Sequence, residues 1–182
     1  MKVLKSRPKD WHITLALASV PHDGSVYEEN FSFSLPSPVL YYGQEYSLTA
    51  PLAVLLEATR NGESIVASVT VSSSVTAPCS RCLESARSEI SSTLRWVFST
   101  KDEEQEGEWK YDEHVKLDSL EEHVSFEDYV WETFITALPV TLLCSDDCRG
   151  LCPTCGVNLN KQSCNCHEGE TDPRLEILKN LL

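Results

Sequence analysis

The sequence predicts an α+β fold: an antiparallel β-sheet with one helix packed on it near residues 126–138, a cysteine-rich knuckle and a short C-terminal helix. Three observations carry this expectation. Residues 64–77 alternate small polar with β-branched side chains at period two, the pattern of a half-buried strand. Val130, Trp131, Phe134, Ile135 and Leu138 recur at helical spacing, and Pro139 stops that run by disfavouring helical geometry at Leu138. Six of the eight cysteines crowd into residues 144–166, where thiols take the place of a core.

Taken in order, residues 11–20 read as a strand. Asn61 and Gly62 have the chemistry of a tight turn, which makes residues 46–60 the hairpin partner of 64–77, although Ala53–Ala58 also has helical propensity. A third extended run covers Ser88–Thr100, and Trp109–Leu117 is a candidate edge strand. At the helix start, Ser125 and Asp128 have the spacing of a capping box. Asp172 and Pro173 open the second helix, which carries Leu175, Ile177, Leu178, Leu181 and Leu182. The expected organisation is a β-rich main domain over residues 1–143, and over 144–182 a metal knuckle and C-terminal helix packed on it.

The formal charge is −13 and uneven: residues 101–132 hold 13 acids against Lys101, Lys110 and Lys116, a local −10. Residues 101–108 read as a solvated acidic loop, and diffuse binding to nucleic acid is disfavoured. Basic residues before Ile13–Ser19 imitate a secretory leader, but Trp11, His12 and Thr14 interrupt its apolar stretch. With no run of about 20 apolar residues, no membrane span is expected. The compartment expected is the cytoplasm, where thiols stay reduced. No phosphate loop, Ser/His/Asp set or His-Glu-x-x-His pattern is present, so neither an enzyme nor a small-molecule substrate is expected.

Cys79 and Cys82, like Cys152 and Cys155, form a Cys-x-x-Cys turn that offers two thiolates to one tetrahedral ion. Cys144 with Cys148, and Cys164 with Cys166, supply the other halves. The simplest partition joins Cys79, Cys82, Cys144 and Cys148 in one site that pins sheet to helix, and leaves Cys152, Cys155, Cys164 and Cys166 as a local zinc knuckle. Two structural zinc ions are the expected cofactors. Iron in a rubredoxin-like site, an iron–sulfur cluster, a redox dithiol and disulfides are the competing uses of these thiols. A small metal–thiolate redox or iron-binding protein is accordingly the alternative function. His167, beside Cys166, is a possible substitute ligand.

The cysteines also carry a resemblance. Cys79, Cys82, Leu83 and Glu84 after an alternating strand are followed by Ala137-Leu138-Pro139-Val140 closing a helix. Then come Cys144, Asp147, Cys148, Gly150, Leu151, Cys152, Cys155, Gly156, Asn158, Leu159 and Asn160, then Cys164 and Cys166, then Asp172-Pro173-Arg174-Leu175. In this order, over roughly residues 45–182, the chain resembles the YceD family. The resemblance implies a bacterial, non-enzymatic factor for large-subunit (23S) ribosomal RNA accumulation and ribosome biogenesis. Its expected partner is that RNA or a basic ribosomal protein. Arg81, Arg149, Lys161 and Arg174, within or beside these motifs, are the candidate RNA- or partner-binding residues. The acidic segment 101–132 would suit a basic protein.

Overall fold

The structure, a computed structural model, describes residues 3–100 and 113–166. The acidic loop 101–108, His167, Arg174 and the helix expected after Asp172 lie outside the described residues. The fold is mostly antiparallel sheet with one helix. Its strands are β1 (Thr14–Ala16), β2 (Tyr27–Phe33), β3 (Val39–Tyr41), β4 (Gln44–Leu48), β5 (Leu52–Asn61), β6 (Ser64–Pro78), β7 (Ser85–Ser99), β8 (Glu113–Lys116) and β9 (His123–Ser125), and the helix is α1 (Glu127–Ala137).

β6 is the axis of a seven-stranded sheet. β7 pairs with it along its whole length, from Ser64↔Ser99 to Pro78↔Ser85, while β5 and then β4 share its other edge. β2 extends the sheet beyond β5, and β3 beyond β4. The period-two pattern decides the faces: Val54↔Val71, Leu56↔Val69 and Ala58↔Ala67 point to one side, as do Ile65↔Phe98 and Ala67↔Trp96, and all are buried. Ala53–Ala58, with its helical propensity, is strand because β6 and β2 pair with it on both edges. Gly62 sits in the β5–β6 turn with φ +59, the conformation its lack of a Cβ permits.

α1 packs across β6 and β7 on the buried face. Glu127, Val130, Thr133 and Phe134 are its buried residues and Phe126 immediately precedes it, and each large apolar side chain so covered contributes about 1.5–3 kcal/mol. Trp131 and Ile135, expected in that stripe, are only partly buried at its margin, Trp131 edge-on to Trp11. Pro139 leaves Leu138 extended at the C-cap, as its ring requires.

Three expectations need correction. Residues 11–20 form a strand only over Thr14–Ala16, paired with β9, and turn into a 3₁₀ segment at Leu17–Ser19, although Trp11, Ile13, Leu15 and Leu17 are all buried. The edge strand in 109–117 exists as β8 but runs parallel to β7, Trp96↔Glu113 to Ser99↔Lys116. Residues 100–112 are long enough for the return this needs. The capping box does not form: Phe126 is the N-cap, and the Ser125 hydroxyl donates to the Glu127 carboxylate instead of accepting a helix amide. Glu127 is drawn away by the neighbouring strand, because its Oε1 also accepts the Ile13 amide at 3.2 Å, while Phe126 N–H donates to the Ile13 carbonyl at 2.8 Å. No helix of the described residues is long and apolar enough to cross a membrane.

Candidate metal centres

Both Cys-x-x-Cys turns fold into the same knuckle. In the β6–β7 connection, Cys79 N–H donates to the Glu84 carbonyl at 2.7 Å and Leu83 N–H to the Cys79 carbonyl at 3.0 Å. In the later segment, Cys152 N–H donates to the Val157 carbonyl at 2.8 Å and Gly156 N–H to the Cys152 carbonyl at 2.9 Å, the same bonds at the same offsets. Each turn needs a left-handed residue straight after its second cysteine. Gly156 meets this with φ +73, but Leu83 does so with φ +63 and a side chain to place.

The second halves arrive from after α1. Ser80 N–H donates to the Leu142 carbonyl at 2.8 Å, and Leu142 N–H to Ser80 Oγ at 3.3 Å, which lays residues 142–148 against the first knuckle. The structure thereby gathers Cys79, Cys82, Cys144 and Cys148, with all four Sγ within 4.8 Å of one another. It gathers Cys152, Cys155, Cys164 and Cys166 in the same way. These are the two groups that spacing alone suggested. In the first, Cys79 and Cys148 Sγ are 3.8 Å apart, and Cys82 and Cys144 Sγ 3.5 Å. A tetrahedral ion with metal–sulfur bonds of about 2.3 Å separates its sulfurs by about 3.8 Å, so the cage fits zinc or another ion of that size.

The two sites differ in exposure. Cys79, Cys82 and Cys148 are buried and only Cys144 is exposed, whereas in the second site Cys152 alone is buried, Cys155 and Cys166 being exposed. Electrostatics within each set are shared. Burial raises the Cys79 thiol, but the amides of Cys82, Arg81 and Cys144 aimed at its sulfur outweigh this and bring it to about 6. The amides of Cys155 and Thr154 likewise bring Cys152 to about 6 against its burial. At Cys82 the Glu84 amide lowers the thiol, but burial and the neighbouring Cys144, Cys79 and Cys148 push it up to about 12. Cys155 and burial push Cys166 up to about 12. Backbone amides thus lower Cys79 and Cys152, the Asn160 side chain and the Gly150 amide hold Cys148 down against its burial, and a cation is what would let the raised thiols give up their protons.

A set of contacts joins the two knuckles. Leu151 N–H donates to the Arg81 carbonyl at 3.1 Å, and Gly150, φ +75, permits that approach, since a Cβ there would stand 3.1 Å from the same oxygen. Lys161 Nζ pairs with Glu84 at 2.6 Å, and Asn160 Nδ2 donates to Cys148 Sγ at 3.3 Å while its Oδ1 accepts the Arg149 amide at 2.8 Å. In the sequence Asn160 is only part of a motif; in the fold its one side-chain amide reaches both a thiol and a backbone amide. Of the basic residues singled out, Arg81 donates from Nη1 to the Cys148 carbonyl at 2.9 Å and Lys161 is engaged with Glu84. Arg149 is exposed on the same knuckle.

A family model described as large ribosomal RNA subunit accumulation protein YceD matches residues 67–182. The chain belongs to the YceD family. Relatives of this YceD chain include uncharacterized proteins of Mycobacterium bovis and Mycobacterium tuberculosis, each 31% identical over 132 residues, covering 70% of this chain and 62% of theirs. A protein of Arabidopsis thaliana named large ribosomal RNA subunit accumulation protein YCED homolog 1, chloroplastic, is 25% identical over 162 residues, covering 76% of this chain and 50% of that one. The matches thus take in less than two thirds of these relatives' own lengths. No solved structure matches the chain. Both knuckles and both four-cysteine groups fall inside the region matched by the family model.

Proposed function

We propose that this YceD chain is a non-enzymatic, zinc-stabilised factor for large-subunit (23S) ribosomal RNA accumulation, acting in the cytoplasm by binding ribosomal RNA or a ribosomal protein. The observation that carries this is the pair of four-thiol cages at one end of the sheet, within the stretch matched by the family of that description. A closed set of four cysteines is the composition of structural zinc sites, while catalytic zinc keeps an open position and commonly uses histidine or carboxylate. Each ion would hold a chain segment that has few apolar side chains to hold it. The main domain would be the sheet with α1, and the segment from residue 144 a metal-ordered appendage that shapes a surface. Arg149, exposed on its knuckle, and Arg174 would be residues of that segment that meet a partner.

In cells lacking the chain, 23S RNA should fall relative to 16S RNA, and the tagged full chain should sediment with large-subunit precursors. A tagged chain found only at the top of the gradient would overturn the reading. Purified protein should be colourless and carry about two zinc ions. Iron–thiolate absorption would favour the metal–redox alternative instead.

A further inference from the structure

Among the described residues, two that are not glycine take a positive φ: Tyr42 at +46 and Leu83 at +63. Both are large and apolar, and both are exposed, at 77% and 66%. Tyr42 and Gly43 form the two-residue β3–β4 turn with φ positive at both positions, where asparagine, aspartate or glycine is the inexpensive choice. Leu83 occupies the place that Gly156 fills in the other knuckle. Each non-glycine residue so held costs about 1–3 kcal/mol of backbone strain, and neither side chain recovers it by burial.

The two lie on the same end of the molecule. Gln44, next to the turn, donates from Nε2 to the Pro78 carbonyl at 2.8 Å, and Pro78 leads into the Cys79 knuckle. Tyr41 packs edge-on against the Tyr42 ring, with centroids 4.7 Å apart, so that ring is held rather than loose. Between turn and knuckle runs an open groove of about 330 Å³ whose apolar lining is Pro38, Ala77, Pro78 and Leu83. Glu45 is the charged residue of that lining, and its carboxylate has no ion-pair partner among the described residues. Arg87, opposite Thr76 of the lining in the β6–β7 ladder, is paired with Glu89 at 3.1 Å.

We infer that the groove between the Tyr42 turn and the Leu83 knuckle is a docking site for an extended cationic polypeptide segment, small apolar side chains lying against Pro38, Pro78 and Leu83 and a lysine or arginine meeting Glu45. This rests on the assembly-factor reading and selects, within it, a protein partner over RNA. The charge decides it: the lining offers a carboxylate and no free cation, in a chain of net charge −13, so a phosphate backbone would be repelled where a basic tail is attracted. Leu83, an apolar side chain on strained backbone in this lining, is then positioned for a partner and not for folding.

The test uses the full chain and a labelled short peptide alternating lysine and valine, followed by fluorescence anisotropy and by amide NMR shifts. Binding should move the amides of residues 42–45 and 79–85, and Leu83→Gly or Glu45→Lys should weaken it about tenfold or more. Leu83→Gly fits the φ of its site, so thermal melting of this variant at or above the parent temperature separates lost contact from lost fold. Equal affinity for the variants, equal binding of the same peptide with glutamate for lysine, or a single-stranded RNA oligonucleotide moving these amides instead would overturn the inference. In the gradient experiment, a Leu83→Gly, Glu45→Lys chain that still co-sediments with precursors would sink the groove and leave the assembly reading standing; a parent chain that does not co-sediment would sink that reading, while the peptide arm still judges the groove.

Discussion

Leu83 and Gly156 answer the same geometric demand with different side chains, which makes Leu83 the sharpest single-residue test of the fold. Replacing it by glycine removes roughly 1–3 kcal/mol of strain and adds about 0.4–1 kcal/mol of unfolded-state entropy. Leu83→Gly is therefore expected to raise stability by up to about 1–2 kcal/mol in denaturant unfolding; a loss of stability would mean the leucine packs when the site is loaded. Glu127 makes a second prediction at this scale. Burial raises its carboxyl, but the Ser125 hydroxyl, the amides of Glu127 and Ile13 and the charge of Arg7 together hold it below the usual carboxylate range. A depressed carboxyl contributes stability in full above its unfolded pKa, about 4.3, and loses it as the pH falls through the lower folded value. Glu127→Gln should cost about 1–2 kcal/mol at neutral pH, since a buried charged acceptor is lost. The melting temperatures of parent and variant should converge in acid below about pH 4, and a gap that stays constant would refute the assignment.

At the scale of elements, the two knuckles share a backbone pattern but differ in what surrounds them. Cys79 joins the end of β6 to the segment after α1, whereas Cys152, Cys155, Cys164 and Cys166 all come from one short stretch. Cys152→Ser should therefore raise hydrogen exchange in residues 150–166 while the amides of β5, β6 and β7 remain protected. Cys79→Ser should additionally open the β6–β7 end and residues 139–149, because metal-binding free energy is folding free energy. Equal protection patterns for the two variants would contradict this division. Why so much of this was legible follows from which signals are local. The face of β6 is written in alternating residues, the end of α1 in Pro139, and each knuckle in a two-residue cysteine spacing. What was not legible depends on partners distant in sequence: Ser125 fails as a cap because Glu127 is claimed by Ile13, over a hundred residues earlier, and β8 is parallel because β7 happens to be the available edge. Leu83 in a left-handed conformation was hidden because leucine carries no turn signal, although its place beside Cys82 matches that of Gly156 beside Cys155.

For the whole molecule, stability comes from two sources that can be withdrawn separately. The sheet and α1 enclose a core including Trp96, Phe98, Phe126 and Phe134, while in the described residues 139–166 the buried side chains are Leu142, Cys148 and Cys152. The site of Cys152, Cys155, Cys164 and Cys166 is also the more open to solvent, with two exposed thiols against one in the other site. A chelator should therefore take the two ions in order, first from the exposed site and then from the one behind Cys79, Cys82 and Cys148. Followed with a thiol reagent, the loss should show two phases of four thiols each. Hydrogen exchange should place the first phase in residues 150–166 and the second in 79–84 and 139–149. The sheet's circular dichroism should persist through the first phase and change modestly in the second, since the thiols of that site adjoin only one end of β6 and β7. A single phase of eight thiols, or collapse of the sheet with the first ion, would mean that the ties across Gly150, Arg81, Lys161 and Glu84 couple the two sites into one cooperative unit.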